Sequence, residues 1–280
     1  MVRTIDSHGL NVKLSCELLE VSESSYYELK SRKQSVSQQR REALSEKISE
    51  IYHKTKGIYG APKIHSDLLD SGIQVGLKTV QKLMKAQRLH SIVMKKFKPA
   101  HSPSDGSMRE NLVPTEPTTK NQVWSTDITY IWTKVHGWCY LSTIMDRYTK
   151  KILAWRFGRR MKTDLVLDTL ALAIAQEGLP EDLILHSDQG SQYTSLEYED
   201  RLSALKIRHS FSRKGYPYHN AALESWHGHL KREWVYQHNY ATFEEAKLDL
   251  FWYIEAFYNK KRKHQALGYL SPEQFEKLAA

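Results

Sequence analysis

The sequence predicts an α/β protein: a mixed-sheet core preceded by a small all-α helix-turn-helix domain. Three observations carry that expectation. The apolar pattern is helical before Phe97 and changes to a period of two after Gln122. Between them lies FKPAHSPSDGSMRENLVPTEPTTKN, with four prolines and little apolar periodicity, which reads as a linker. The charge is also lopsided: residues 1–100 hold 18 Lys and Arg against 10 Asp and Glu, whereas residues 101–280 hold 23 against 22. A positive lobe beside a near-neutral one suits a polyanion-binding module joined to a second unit, although solvated surface charge alone produces the same balance.

With 280 residues, 40% hydrophobic and 26% charged, the chain can bury a core, and disorder is excluded as its dominant state. No apolar run approaches the ~20 residues a membrane span needs, and MVRTIDSHGLNVK lacks a signal-peptide core. A cytoplasmic protein with no membrane partner is expected. Cys16 and Cys139 lie too far apart for a Cys-x-x-Cys zinc site and read as buried, reduced thiols. The expected divisions are an N-terminal helical segment (1–37), a helix-turn-helix domain (38–97), a linker (98–121), the core (122–235) and a C-terminal helical extension (236–280).

Taken in order, Pro62 suits the first turn of a helix carrying Ile64, Leu68 and Leu69, which Gly72 ends. The segment from Lys78 to Leu89 puts Val80, Leu83 and Met84 on one face and Lys78, Lys82, Lys85 and Arg88 on others. Two short helices joined by SGIQVG match a helix-turn-helix; a solvated hairpin without a ligand is the rival reading. Then VWSTDITYIW, WCYLSTIM and KILAWRF, separated by turns at KVHG and DRYTK, read as three antiparallel strands. Thr163 is the expected N-cap of DLVLDTLALAIAQEG, which Gly178 and Pro180 terminate. LILHS is a short buried strand, followed by a helix near 195–206 and a strand at IRHSF. In NAALESWHGHLKREW, Leu223, Trp226, Leu230 and Trp234 form a buried helical stripe. Thr242 and Glu245 form a capping box for a last long helix.

Three carboxylates occupy unusual places. Asp127 interrupts an aromatic and β-branched strand, where an unpaired carboxylate is costly. Asp188 ends the strand LILHS, and strand ends are where α/β sheets build sites. Glu224 and Lys231 fall within about 20° of each other on the helix and flank its buried stripe. Hard oxygen donors from two strands and a helix suit Mg²⁺ or Mn²⁺, and two such ions can assist phosphodiester displacement. For each acid alone the reading as a cap, a turn residue or a surface ion pair prevails; it is their joint context that points to a metal site.

WSTDITYI, LHSDQGSQYTS and SRKG followed by NAALESWHGHLKRE and FYNKKRKHQALGYLSPEQF resemble the second-frame (OrfB-type) transposases of the IS-three family of bacterial insertion sequences. The 35 residues between Asp188 and Glu224 equal that family's spacing and that of retroviral integrases. IYGAPKIHSDLLDSGIQVGLKTVQKLMK is similar to the family's helix-turn-helix. The resemblance implies an RNase H-like core in which Asp127, Asp188 and Glu224 ligate two Mg²⁺ (or Mn²⁺) ions. It implies double-stranded DNA as partner, both the element's terminal repeats and the target, with cleavage and then transfer of the 3′-hydroxyl strand. By the same resemblance Lys231, Arg213 and Lys214 contact DNA, with a Lys231–Glu224 salt bridge as the alternative. Lys260, Lys261, Arg262, Lys263 and His264 are further candidates, as are Lys78, Lys82 and Lys85 of the helix-turn-helix. His186 either orients a ligand or is structural.

A homo-oligomer on DNA, a product or fusion of the upstream frame, and a nucleoid-associated place in the cytoplasm are implied in the same way. The segment Tyr216, Pro217, Tyr218, His219, Asn220 departs from the family's usual Asn-Cys-aromatic-Asp-Asn pattern. Rival functions are an RNase H-like nuclease that cuts without joining, a DNA-binding regulator, and an inactive relic; intact Asp127, Asp188 and Glu224 speak against the last.

Overall fold

The computed structural model describes residues 9–31, 35–93, 110–113, 116–212 and 221–279. The chain parts into two compact units, residues 1–90 and 91–280. In the first, helices α1 (Val12–Leu18) and α2 (Glu23–Ser31) bury Cys16 and Tyr26 against Val12 and Val21. Helix α3 (Val36–Lys54) starts at Ser35, whose hydroxyl accepts from the Gln38 N–H, and buries Ile48 and Ile51.

Helices α4 (Ala61–Asp70) and α5 (Leu77–Ala86) form the helix-turn-helix pair. Pro62 sits in the first turn of α4, where its missing N–H costs nothing. Gly72 ends the helix at φ +78°, with Ile73 N donating to Leu68 O and Gly72 N to Leu69 O, the double bond of a Schellman cap that favours glycine. Ile64 and Leu68 of α4 and Val80, Leu83 and Met84 of α5 are buried, while Lys78, Lys82 and Lys85 are exposed.

The second unit holds a five-stranded sheet in the order β3-β2-β1-β4-β5. Strands β1 (Val123–Thr133), β2 (Gly137–Asp146) and β3 (Ile152–Gly158) are antiparallel, whereas β4 (Ile184–Ser187) runs parallel to β1 and β5 (Arg208–Phe211) parallel to β4. Helices α6 (Thr163–Glu177) and α7 (Leu196–Ala204) cover one face, packing Val166, Leu170 and Leu202 onto Trp124, Ile144 and Leu185. Strand alternation turns Asp127 to the other face, where α8 (Ala221–Glu233) lies. The α8 stripe is buried as patterned: Leu223, Trp226, Leu230 and the following Trp234 are each at most 2% exposed.

Two local expectations change. Thr163 is the first residue of α6, not its cap; Lys162 holds the cap position without a side-chain bond, and the Thr163 hydroxyl turns to Ser195 Oγ at 3.4 Å. The capping box at Thr242 forms with a slip: Thr242 Oγ1 accepts from Glu245 N, but Glu245 Oε2 reaches the N–H of Ala241. The helix it opens, α9 (Phe243–Phe251), continues as a π-helix over Trp252–Tyr258. That wider turn stacks Trp252 on Trp234 at 4.5 Å and directs the Tyr253 hydroxyl to Glu233. Just beyond it, Asn259 bonds both the N–H and the carbonyl of Ile152 on the sheet-edge strand β3. Helix α10 (Pro272–Ala279) closes the chain, with Glu276 in a four-charge cluster of Lys120, Lys151 and Glu177. Both cysteines are buried and free. Among the described residues no helix is long and apolar enough to cross a membrane.

Candidate active site

The β1–β4 ladder brings two carboxylates together. The ladder ends at Ser125 and His186, two residues before Asp127 and Asp188, and the charge of Asp127 is felt at Asp188. Asp127 is one-fifth exposed, and its Oδ1 accepts from the Ile128 N–H at 2.8 Å. Asp188 begins the turn after β4, and its Oδ1 accepts from Gly190 N at 2.9 Å. A Cβ at Gly190 would lie 3.0 Å from that same oxygen, so the turn leaves little room for a larger residue. Although its outer flank is exposed, Asp188 has its carboxyl pushed up from the ordinary value, chiefly by partial desolvation and further by the charge of Asp127, against the Gly190 hydrogen bond.

Helix α8 reaches this pair through a residue that sequence reading passed over. His227 is buried, with Nδ1 3.3 Å from Asp127 Oδ2 and Nε2 3.3 Å from Thr143 Oγ1 on β2. With Nε2 at the Thr143 hydroxyl, Nδ1 faces the Asp127 carboxylate and orients it. The signal was present in the sequence as Glu224-x-x-His227, two residues one turn apart on a helix. Glu224 therefore stands one turn before the residue that touches Asp127, on the exposed flank of α8.

Among the described residues, no three His, Cys, Asp or Glu side chains converge closely enough to hold a metal ion. Asp127 and Asp188 nevertheless suit a divalent cation in their chemistry. They are neighbouring hard oxygen donors; desolvation, with the Asp127 charge added to it, raises Asp188, and a dication favours the ionised form against both.

The basic candidates fall in different places. Lys231 is half-buried and lines a cavity beside β1. Lys260 and Lys261 are exposed, Lys263 is buried. Arg213, Lys214 and the unusual segment Tyr216–Asn220 lie outside the described residues. Arg262, expected at DNA, is instead 3% exposed, its Nε and Nη2 bonded to the two carboxylate oxygens of Glu233 and its Nη1 to His264 Nε2. Burial alone would lower Arg262, but the charge of Glu233 more than reverses that. It braces the end of α8 and is enclosed away from a phosphate. His186 is fully buried, with Nδ1 2.9 Å from Ser210 Oγ, a structural placement within the sheet.

Two integrase core domain families match residues 117–217 and 205–272, and an HTH-like domain matches 39–97. The transposase for insertion sequence element IS904 of Lactococcus lactis is 41% identical over 249 residues, covering 88% of this chain and 98% of the relative. The InsF transposase of IS3A from Escherichia coli K12 is 33% identical over 271 residues, covering 95% and 94%. The chain belongs to the IS3-family transposases. As such it is a DNA transposase, a DDE-type polynucleotidyl transferase built from an integrase core and a DNA-binding helix-turn-helix. Solved chains similar to this transposase include one from the simian T-cell lymphotropic virus intasome in complex with PP2A regulatory subunit B56 gamma (19% identity, TM-score 0.47, 82% of this chain and 74% of that one). Another is the HTLV-2 integrase catalytic core in complex with magnesium (15%, 0.45, 57% and 98%).

Proposed function

We propose that Asp127, Asp188 and Glu224 are the catalytic carboxylates of this transposase and hold two Mg²⁺ or Mn²⁺ ions. The observation that carries this reading is the proximity of Asp127, within β1, to Asp188, just past the end of the parallel strand β4, with the helix of Glu224 tied to Asp127 through His227. Bound cations would activate an attacking oxygen and stabilise a leaving one. The protein's own groups prepare the site. His227 and Thr143 fix the Asp127 carboxylate, Gly190 N–H fixes that of Asp188, and Lys231, Arg213 and Lys214 neutralise DNA phosphates near the scissile bond. Water and then the freed 3′-hydroxyl attack in line, so one site serves both cleavage of an element end and its joining to target. Pairing two ends requires a dimer or larger assembly on DNA, and a segment from the upstream frame supplies further end recognition.

The deciding experiment is strand transfer on a labelled duplex of the element's end with Mg²⁺, comparing the wild type with Glu224→Gln. Joined product from the wild type is expected, and its loss in the variant while DNA binding persists. Equal joining by both proteins would remove Glu224 from the chemistry; cut but unjoined ends from the wild type would favour a nuclease.

The exposed lysines of α5 give a second expectation. If Lys78, Lys82 and Lys85 meet phosphates, replacing all three with alanine should lower the slope of log K against log salt by about 2–3, close to one per lost contact. An unchanged slope would assign these lysines to solvent.

A further inference from the structure

A cavity of about 800 Å³ opens beside β1. The β1–β4 ladder covers only Val123–Ser125, while β1 runs on to Thr133. Aromatic side chains line the space along this extension. Tyr130 pairs across the strands with Tyr140 and Trp132 with Trp138, the rings meeting edge-on at 5.5 and 5.2 Å. Tyr130, Trp132 and Trp138 remain 46, 53 and 55% exposed, a large unburied area for rings on a sheet whose other positions are mostly covered. Lys134 and Lys231 complete the lining, and none of the lining residues is acidic. The carboxylate of Asp249, which approaches from outside the lining, is engaged by the Tyr240 hydroxyl at 2.9 Å and lies 3.7 Å from His238.

This combination selects a ligand. An apolar peptide would match the rings but set uncharged groups against the cationic side of the lining, and a DNA duplex would match the lysines but keep its base faces stacked away from the rings. Unpaired DNA presents both π-faces and phosphates. We propose that the cavity is a stacking site for unpaired bases of the DNA strand being processed. Lys231 stands seven residues after Glu224, about 10 Å along α8. The cavity reaches from Lys231 around the edge of β1 beyond β4 to these rings, which share the parity of Trp124 and stand on the face opposite Asp127, so a strand leaving the reaction centre turns that edge to stack. This placement rests on Glu224 marking the reaction centre.

Stacking is tolerant of sequence, so the test needs no element-specific DNA. The affinity of the full chain is measured for a blunt duplex and for the same duplex with a short oligo(dT) tail, without divalent cation. The tail should tighten binding about 5- to 150-fold, the range one stacked base supplies. Trp132→Ala should bring the ratio close to one, and Trp132→Phe, which keeps a ring, should retain most of it. Trp138→Ala provides an independent variant should Trp132→Ala fail to fold. A wild-type ratio near one, or a ratio unchanged in both alanine variants, overturns the proposal. So does an unchanged ratio with a drop in the mass of the protein, which would assign the face to a second copy of the chain. The ratio is read without cleavage, so failure of the carboxylate reading appears in the strand-transfer assay and failure of the stacking site in the ratio.

Discussion

Asp188→Asn is expected to reduce DNA cleavage by about 1000-fold or more, the several kcal/mol that a cation-holding carboxylate contributes to phosphodiester chemistry. The same change should leave stability intact or slightly improved. Desolvation and the Asp127 charge raise the Asp188 carboxyl above its ordinary value, so its ionised form disfavours the fold. The sign follows from linkage. A carboxyl raised in the folded state weakens stability as pH climbs from the ordinary carboxylate value through the raised one, and the penalty then persists at neutral pH. Asparagine has no charge to penalise and keeps an oxygen for the Gly190 N–H. The exposed flank of Asp188 makes the gain small. Divalent cation should in turn raise the Tm of the wild type more than that of the variant. Thermal melts with and without Mg²⁺, beside a cleavage assay, check both halves. A variant that cuts normally, or one equally stabilised by the cation, would remove Asp188 from the site.

Arg262→Met is expected to destabilise the core by about 3–5 kcal/mol, because it leaves the 3%-exposed Glu233 as an uncompensated buried charge. The loss should be local in origin and specific in remedy. Adding Glu233→Leu removes the orphaned charge, so the double variant should recover most of the stability, whereas Glu233→Leu alone should strand the arginine and destabilise comparably. Urea denaturation of the three variants measures this. If Arg262 instead served DNA, the double variant would fold yet lose DNA affinity with a shallower salt dependence. The buried geometry predicts unchanged affinity. Glu233 ends α8, and Tyr253 from the π-helix donates to it as well, so this cluster fixes the helix that carries Glu224 and His227.

Much of the architecture was legible because it depends on local periodicity. The alternation of VWSTDITYIW and WCYLSTIM, the Leu223–Trp226–Leu230–Trp234 stripe, Gly72 closing α4 and Thr242 opening α9 are each set by a few neighbouring residues. The strand-end position of Asp188 and the flank position of Glu224 were read the same way.

The sequence by itself determined the elements, their order and the family of the chain, since pattern, caps and motif spacing are properties of contiguous residues. Only the tertiary structure decided which distant groups meet. It set His227 on Asp127 across 100 residues of chain and enclosed Arg262 with Glu233 instead of offering it to DNA. It also left the rings of Tyr130, Trp132 and Trp138 open beside Lys231. Pairings of this kind depend on which faces the sheet and helices turn toward one another. No local window of sequence contains that information.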